Sequence, residues 1–552
     1  MDYRSRRFID DRGGNFAMLT AIVIFPLLLG VGLALDVSNI ARKHSELQQS
    51  VDAAVLAITR EGEKISDQRA RQIAEQFLGA NFDLKVDGLQ ITRNEARVQL
   101  DVQSSTDLAF GGLFGKQTWP IQAAASADIA YADYEIGLVL DTTGSMADGK
   151  LKSMKEAVIG LIDGMSKQVD DKKKLKFALV PFATFVNVGS QYGPKFDKKT
   201  GKQIAGDGAA WLDLTGKAEF PQVELAPDAS RFQLYQNLGQ SWSGCVETRN
   251  AAGKGYDVND AAPNVSKPET LFVPAFAIDE PDSGGFRNSY ISSSAKPKEK
   301  SVAEKRNRFA KYGVATDETT GKPKNNGMID PLNKLVKDVV GGLLNLIEIA
   351  LGKPAKIDID TKDGKGPNKG CDGIKPITPL TSDYADLKKK VNEFEAAGTT
   401  NITEGVAWGM RVLSPAEPFT QGRDDKTVPN LDKILIVLTD GTNNLGPKNN
   451  GLGSDYSSEG YLVDGRLGIS VGGSSETNGK MNEKTLATCK NAKDDGIEVY
   501  TIRLEEPDVA TGMMLRECAS SPGNFFDVPT RAKLDEAFGK IRERIVKIRI
   551  AS

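Results

Sequence analysis

From residue 16 to residue 35 the chain reads FAMLTAIVIFPLLLGVGLAL, twenty positions without a charge. At about 1.5 Å of rise per residue such a helix covers roughly 30 Å, the hydrocarbon thickness of a bilayer. Pro26, Gly30 and Gly32 are compatible with a membrane helix. The apolar part of a cleaved signal peptide is only about 7–15 residues long, so the length favours a retained span. The pattern then changes without a break. In DVSNIARKHSELQQSVDAAVLAITR, Ile40, Leu47, Val51, Ala54 and Val55 share one helical face, which predicts that the helix continues outward as an amphipathic one. Residues 66–80 suggest a second helix, LQITRNEARVQLDV alternates with period two, and residues 117–130 end in another alternating run. Residues 36–132 thus read as an outer helix with a small α+β module.

Near residue 133 the texture becomes α/β. EIGLVL (135–140), KFALVPF (176–182), KILIVLT (433–439) and IEVYTI (497–502) are candidate buried strands, and helical patterns lie at 150–167, 384–397, 403–413 and 482–495. Apolar strands alternating with helices predict a doubly wound, mainly parallel sheet covered on both faces, with ligands beyond the carboxyl ends of its strands. The span 133–549 is about twice the roughly 200 residues such a domain needs. The excess is assigned to insertions at about 187–380 and 443–481. The first is expected to be partly ordered, through pieces such as FQLYQNLGQSW and TLFVPAFAI. Within it, LNKLVKDVVGGLLNLIEIAL (332–351) carries Lys334, Lys337, Asp338 and Glu348, so it is expected to pack against the domain rather than span a membrane. The second is a Gly/Ser-rich loop that could form a rim beside the strand ends.

Composition narrows the chemistry. The 71 basic and 74 acidic residues nearly cancel, so no nucleic-acid partner is expected. His44 is the only histidine, which removes the usual base of Ser-His-Asp and Cys-His mechanisms and any histidine-rich zinc site. A metal site here must be built from oxygen, for a hard cation. Arg4, Arg6, Arg7 and Arg12 precede the apolar run, while only Arg42 and Lys43 closely follow it. The positive-inside bias then predicts a single-pass protein with its N-terminus (1–15) in the cytoplasm and its bulk outside. Cys245, Cys371, Cys489 and Cys518 form no C-x-x-C pair, and an even number in an exported chain points to two disulfides in any of three connectivities.

The candidate site begins after the first α/β strand, at Asp141-Thr142-Thr143-Gly144-Ser145. A carboxylate and two hydroxyls at i, i+2 and i+4 on a tight turn can aim three oxygens at one point. Alone the motif is also an ordinary turn. Gly398-Thr399-Thr400-Asn401 opens a helical stretch and Thr439-Asp440-Gly441 follows another apolar strand, so all three segments are expected at one sheet edge. Together they resemble the metal-ion-dependent adhesion site of von Willebrand factor A domains. That resemblance implies a von Willebrand factor A fold, with Asp141, Thr143, Ser145, Thr400 (Thr399 as a fallback) and Asp440 around Mg²⁺, or Mn²⁺ or Ca²⁺. It also implies an open coordination position for a partner protein's carboxylate.

The run RFIDDRGGNFAMLTAIVIFPLLLGVGLALDVSNIARKHSELQQSVDAAVLA resembles the N-terminus of TadE/TadG-like Flp pilus-assembly proteins. WSGCVETR, TLFVPAFAIDEPD, GPNKGCDGIKPITPLT and VYTIRLEE followed by LRECASSPGNFFDV are similar to their outer region. The resemblance implies Cys245–Cys371 and Cys489–Cys518 pairing, an inner-membrane anchor, a periplasmic metal domain and a pilus-assembly partner, without catalysis. Three rivals stand beside it. One is a surface adhesin; another is a metal-assisted hydrolase with Asp148 or Glu404 as base, though both look like helix-start residues. The third is a domain assisting an ATPase, in a chain with no G-x-x-x-x-G-K-[ST] loop. Oligomeric state is not legible.

Overall fold

A computed structural model describes residues 15–60, 65–93, 97–128, 133–169, 172–198, 201–218, 222, 225, 230–291, 309–312, 357–428 and 430–545. The chain divides into two compact units, one ending at Tyr131 and the other covering Ala132–Ile545.

The first unit is organised by helix α1, Asn15–Arg60, which runs unbroken through Pro26 from the apolar stretch into the amphipathic one. Its apolar half is largely exposed from Met18 to Val37, apart from half-buried Leu29 and buried Gly32 and Asp36, and it is long and apolar enough to cross a membrane. Its outer half buries Leu47, Val51, Ala54, Val55 and Ile58, the leucine, valines and isoleucine each contributing about 1.5–3 kcal/mol. These side chains meet helix α2 (Asp67–Asn81), which Ser66 caps by accepting the Arg69 amide at 3.2 Å. They also meet an antiparallel sheet of β1 (Val86–Arg93), β2 (Arg97–Asp107) and β3 (Thr118–Asp128) in that order. Val98, Leu100 and Val102 of β2 point inward while their neighbours face outward, as period-two alternation requires.

The second unit holds a six-stranded sheet. Its strands are β4 (Asp133–Asp141), β5 (Leu175–Phe182), β6 (Thr378–Thr381), β7 (Leu431–Thr439), β8 (Glu498–Leu504) and β9 (Phe525–Val528). Their order is β6-β5-β4-β7-β8-β9, parallel throughout except for β6 on the edge. Counted from β4 this is the order 3-2-1-4-5-6, whose direction of winding reverses between β4 and β7. The mixed α/β architecture with a mainly parallel sheet is therefore present. Helices α3 (Lys150–Gln168), α5 (Tyr384–Asn392), α6 (Ile402–Leu413), α7 (Ser474–Asp494), α8 (Val509–Cys518) and α9 (Leu534–Ile545) surround the sheet, and a short helix α4 (Arg231–Asn237) lies in the first insertion. A β-carbon on Gly409 would fall 2.4 Å from Val139 Cγ2 and 2.5 Å from Leu435 Cδ1. Glycine there lets α6 lie directly on β4 and β7.

Several boundaries shift. The predicted helix 384–397 stops at Asn392, because residues 393–398 turn toward the strand ends. The first insertion closes before Thr378, where β6 begins. The second ends earlier than residue 481, since α7 starts at Ser474. In the first insertion Phe232, Leu234, Tyr235, Trp242, Phe272 and Phe276 are buried in the same core as the sheet. The segment 332–351 lies outside the described residues. The disulfides are Cys245–Cys371, which links two parts of the first insertion, and Cys489–Cys518, which joins α7 to the end of α8.

A candidate metal site at the strand ends

Parallel pairing of β4 with β7 carries Asp141 and Asp440 to neighbouring carboxyl ends. The turn after β4 is held on both sides. Thr142 donates its amide (2.9 Å) and hydroxyl (3.0 Å) to the Phe182 carbonyl at the end of β5. On the other side, Gly144 donates its amide to the Gly398 carbonyl (3.1 Å) and Ala397 its amide to the Thr142 carbonyl (2.9 Å). The loop before α6 is thereby laced to the β4 turn.

Within this frame the oxygens converge. Thr143 Oγ1 and Ser145 Oγ are 2.8 Å apart, and Ser145 Oγ donates to Asp440 Oδ1 at 2.6 Å. Asp141 Oδ1 accepts the Thr143 amide at 2.8 Å, and its Oδ2 accepts the Thr439 hydroxyl at 2.6 Å. A β-carbon on Gly441 would lie 3.0 Å from Thr400 Oγ1 and 3.6 Å from Ser145 Oγ, so Thr400 closes the ring. Thr399 does not. Its hydroxyl lies 3.2 Å from that of Thr184, which also accepts the Thr399 amide. Asn401 caps α6 through the Glu404 amide at 3.1 Å.

Asp141, Thr143, Thr400 and Asp440 are buried, whereas Gly144 and Ser145 are exposed, so the cluster meets solvent on the Ser145 side. Burial, and then the neighbouring Asp440 carboxylate, push the Asp141 carboxyl up to about 6, against hydrogen bonds from Thr143 and Thr439. Two buried carboxylates and three hydroxyls, with no nitrogen or sulfur ligand among them, suit a hard divalent cation.

Sequence reasoning missed one participant. Lys150, the first residue of α3, donates to Asp440 Oδ2 at 2.7 Å. A cation at a helix N-terminus opposes the helix dipole, and that misfit was the available signal. Of the two residues considered as bases, only Glu404 has its carboxylate engaged by hydrogen bonds. Asp148 adopts a positive φ of 57° in the turn before α3, and its carbonyl accepts from Arg531. Glu404 is buried, with hydrogen bonds from Thr248 Oγ1 and Trp408 Nε1, both at 2.8 Å. The second insertion reaches the rim. Asn444 donates its amide to the Thr400 carbonyl (2.8 Å), and Ser458 accepts from Asn401 Nδ2 (2.9 Å).

Comparison with known families bears on the other end of the chain. Residues 14–57 match the Tad family, described as "Putative Flp pilus-assembly TadE/G-like". The match covers α1 except its last three residues and leaves the α/β unit outside it. No curated protein matches. Among solved structures, the vWF domain of the type V pili tip protein Mfa5 from Porphyromonas gingivalis aligns over 76% of this chain and 98% of its own, at 10% identity and a TM-score of 0.31. The adhesive tip pilin GBS104 from Streptococcus agalactiae aligns over 75% and 100%, at 10% identity and 0.31. The pilus adhesin SpaC from Lactobacillus rhamnosus GG, in its open conformation, aligns over 83% of this chain but only 33% of its own, at 10% identity and 0.31.

Proposed function

We propose that this chain is a membrane-anchored component of Flp pilus assembly that captures a partner protein through a divalent cation. Mg²⁺ is the foremost candidate, with Mn²⁺ and Ca²⁺ as alternatives. The Tad match over residues 14–57 supports the pilus assignment, and the apolar half of α1 supports the anchor. The arginine-rich start supports a cytoplasmic N-terminus and a periplasmic α/β unit.

The observation carrying the binding reading is the convergence of Asp141, Thr143, Ser145, Thr400 and Asp440 at one set of strand ends, open to solvent beside Ser145. A dication would neutralise the two facing carboxylates. Mg²⁺ takes six oxygens and keeps some waters, which leaves room for a carboxylate from outside. The arrangement favours binding over catalysis, because Glu404 is committed to Thr248 and Trp408 and the α/β unit contains no histidine. The test is a thermal-unfolding titration with MgCl₂ of the wild type and of Asp141→Ala. The wild type should gain stability with Mg²⁺ and the variant should not; identical responses would remove the metal assignment. Crosslinking in cells from a position beside Ser145 should then retrieve another pilus-assembly component.

A further inference from the structure

The turn between β2 and β3 is an unusual surface for a module outside a membrane. Residues 108–117 read LAFGGLFGKQ, with one charge, Lys116, and no acid. Leu113 and Phe114 are 67% and 58% exposed, and Trp119 just beyond is 42% exposed. Lys116 Nζ stands 5.1 Å above the Trp119 ring.

The turn is fixed against α1. Asp36, at the end of the apolar stretch, accepts the Ala109 amide on Oδ1 (2.8 Å) and the Phe110 amide on Oδ2 (3.0 Å). One helical turn back, a β-carbon on Gly32 would fall 2.7 Å from the Phe110 ring, so glycine admits the aromatic onto the helix. Gly32 lies about 6 Å along the axis from Asp36, inside the apolar stretch. Around it Val31, Leu33 and Leu35 are exposed.

The backbone of the turn is also prepared for an apolar medium, where an unpaired amide is costly. Besides the two amides on Asp36, Leu108 donates to the Gln117 carbonyl, Leu113 to Phe110, Gly115 to Gly112 and Lys116 to Gly111.

We propose that this turn is a second membrane contact: Phe110, Leu113 and Phe114 insert into the outer leaflet of the bilayer that α1 crosses, with Trp119 and Lys116 at its interface. The proposal rests on α1 being a retained span. Continuity selects lipid as the occupant, because the apolar turn adjoins apolar helix surface at the same level. An aromatic ring and a long basic side chain at its margin suit the headgroup region. The contact would hold the α+β module at a fixed height and tilt on the membrane.

The test uses the full chain in lipid nanodiscs. The four native cysteines are paired, so a single added cysteine can carry an environment-sensitive fluorophore at Leu113→Cys, at Val23→Cys in the span, or at Gln72→Cys on the exposed face of α2. The proposal expects blue-shifted emission, quenched by spin-labelled lipid, at positions 23 and 113 but not at 72. Quenching at 23 with water-like emission at 113 overturns the turn contact and leaves the span intact. Blue-shifted but unquenched emission at 113 also overturns it, because protein rather than lipid then covers the turn. Absence of quenching at both 23 and 113 removes the span and the proposal together.

Discussion

The two sheets solve opposite problems. The antiparallel β1–β3 sheet is buried on one face only, and the helix covering that face is the outer half of α1. The parallel sheet is buried on both faces at its centre, and from Tyr134 to Asp141 every residue of β4 is buried. The small module therefore borrows its core from the helix that also carries the long apolar stretch, whereas the α/β unit supplies its own. Damage to α1 should propagate into the first unit and stop there.

The largest expected effect tests that division. Val51→Asp places an unpaired charge in the α1–sheet interface and should abolish protection of residues 65–128 in hydrogen exchange, while the α/β unit keeps its unfolding temperature. Loss of structure in both units would refute the division. Next, Cys245→Ala with Cys371→Ala opens a loop with a sequence separation of 126, against 29 for Cys489–Cys518. Chain entropy then predicts a loss of about 5 kcal/mol against about 3.6 kcal/mol, read from denaturant midpoints of the isolated unit.

A somewhat smaller loss is expected from Glu247→Gln. Glu247 is buried, 2.7 Å from Arg231 and 2.8 Å from Arg466, and also accepts from Tyr456. Burial alone would raise its carboxyl, but the two guanidiniums outweigh burial and hold it below the ordinary range. Its contribution is complete above the unfolded carboxylate's titration and is lost as pH falls through the lowered value. The variant, with the anion between two guanidiniums removed, should lose about 3–4 kcal/mol at neutral pH and show a shallower acid limb. The smallest effect belongs to Lys150→Met. It removes the ammonium competing for Asp440 and should tighten Mg²⁺ binding by about tenfold, or about 1.4 kcal/mol, in a calorimetric titration.

Much of this was legible from pattern. The runs ending at Leu140 and Thr439 are continuous and apolar because their strands are covered on both faces, and they located Asp141 and Asp440. Spacing alone could not choose between Thr399 and Thr400; the choice depends on Thr184, which engages Thr399 from another loop. Strand β6 is four residues of edge, too short to show a period. Helix α9 does carry helical spacing in Leu534, Ala537, Phe538 and Ile541, yet it lies beyond the last strand identified from sequence. Lys150 was hidden because its partner is 290 residues away, and only the fold brings them together.

The pairing of β4 with β7 has a mechanical consequence. Eight consecutive residue pairs hold those strands in register, so the spacing of Asp141 and Asp440 cannot change unless the sheet slips. Thr400 stands on a loop fastened by a few hydrogen bonds to Thr142, Gly144 and Asn444. The site works like a vice with one fixed jaw and one movable jaw. Under the proposed function, any adjustment on the arrival of a partner's carboxylate would fall to the movable one, and α6 and the rim of the second insertion are attached to it.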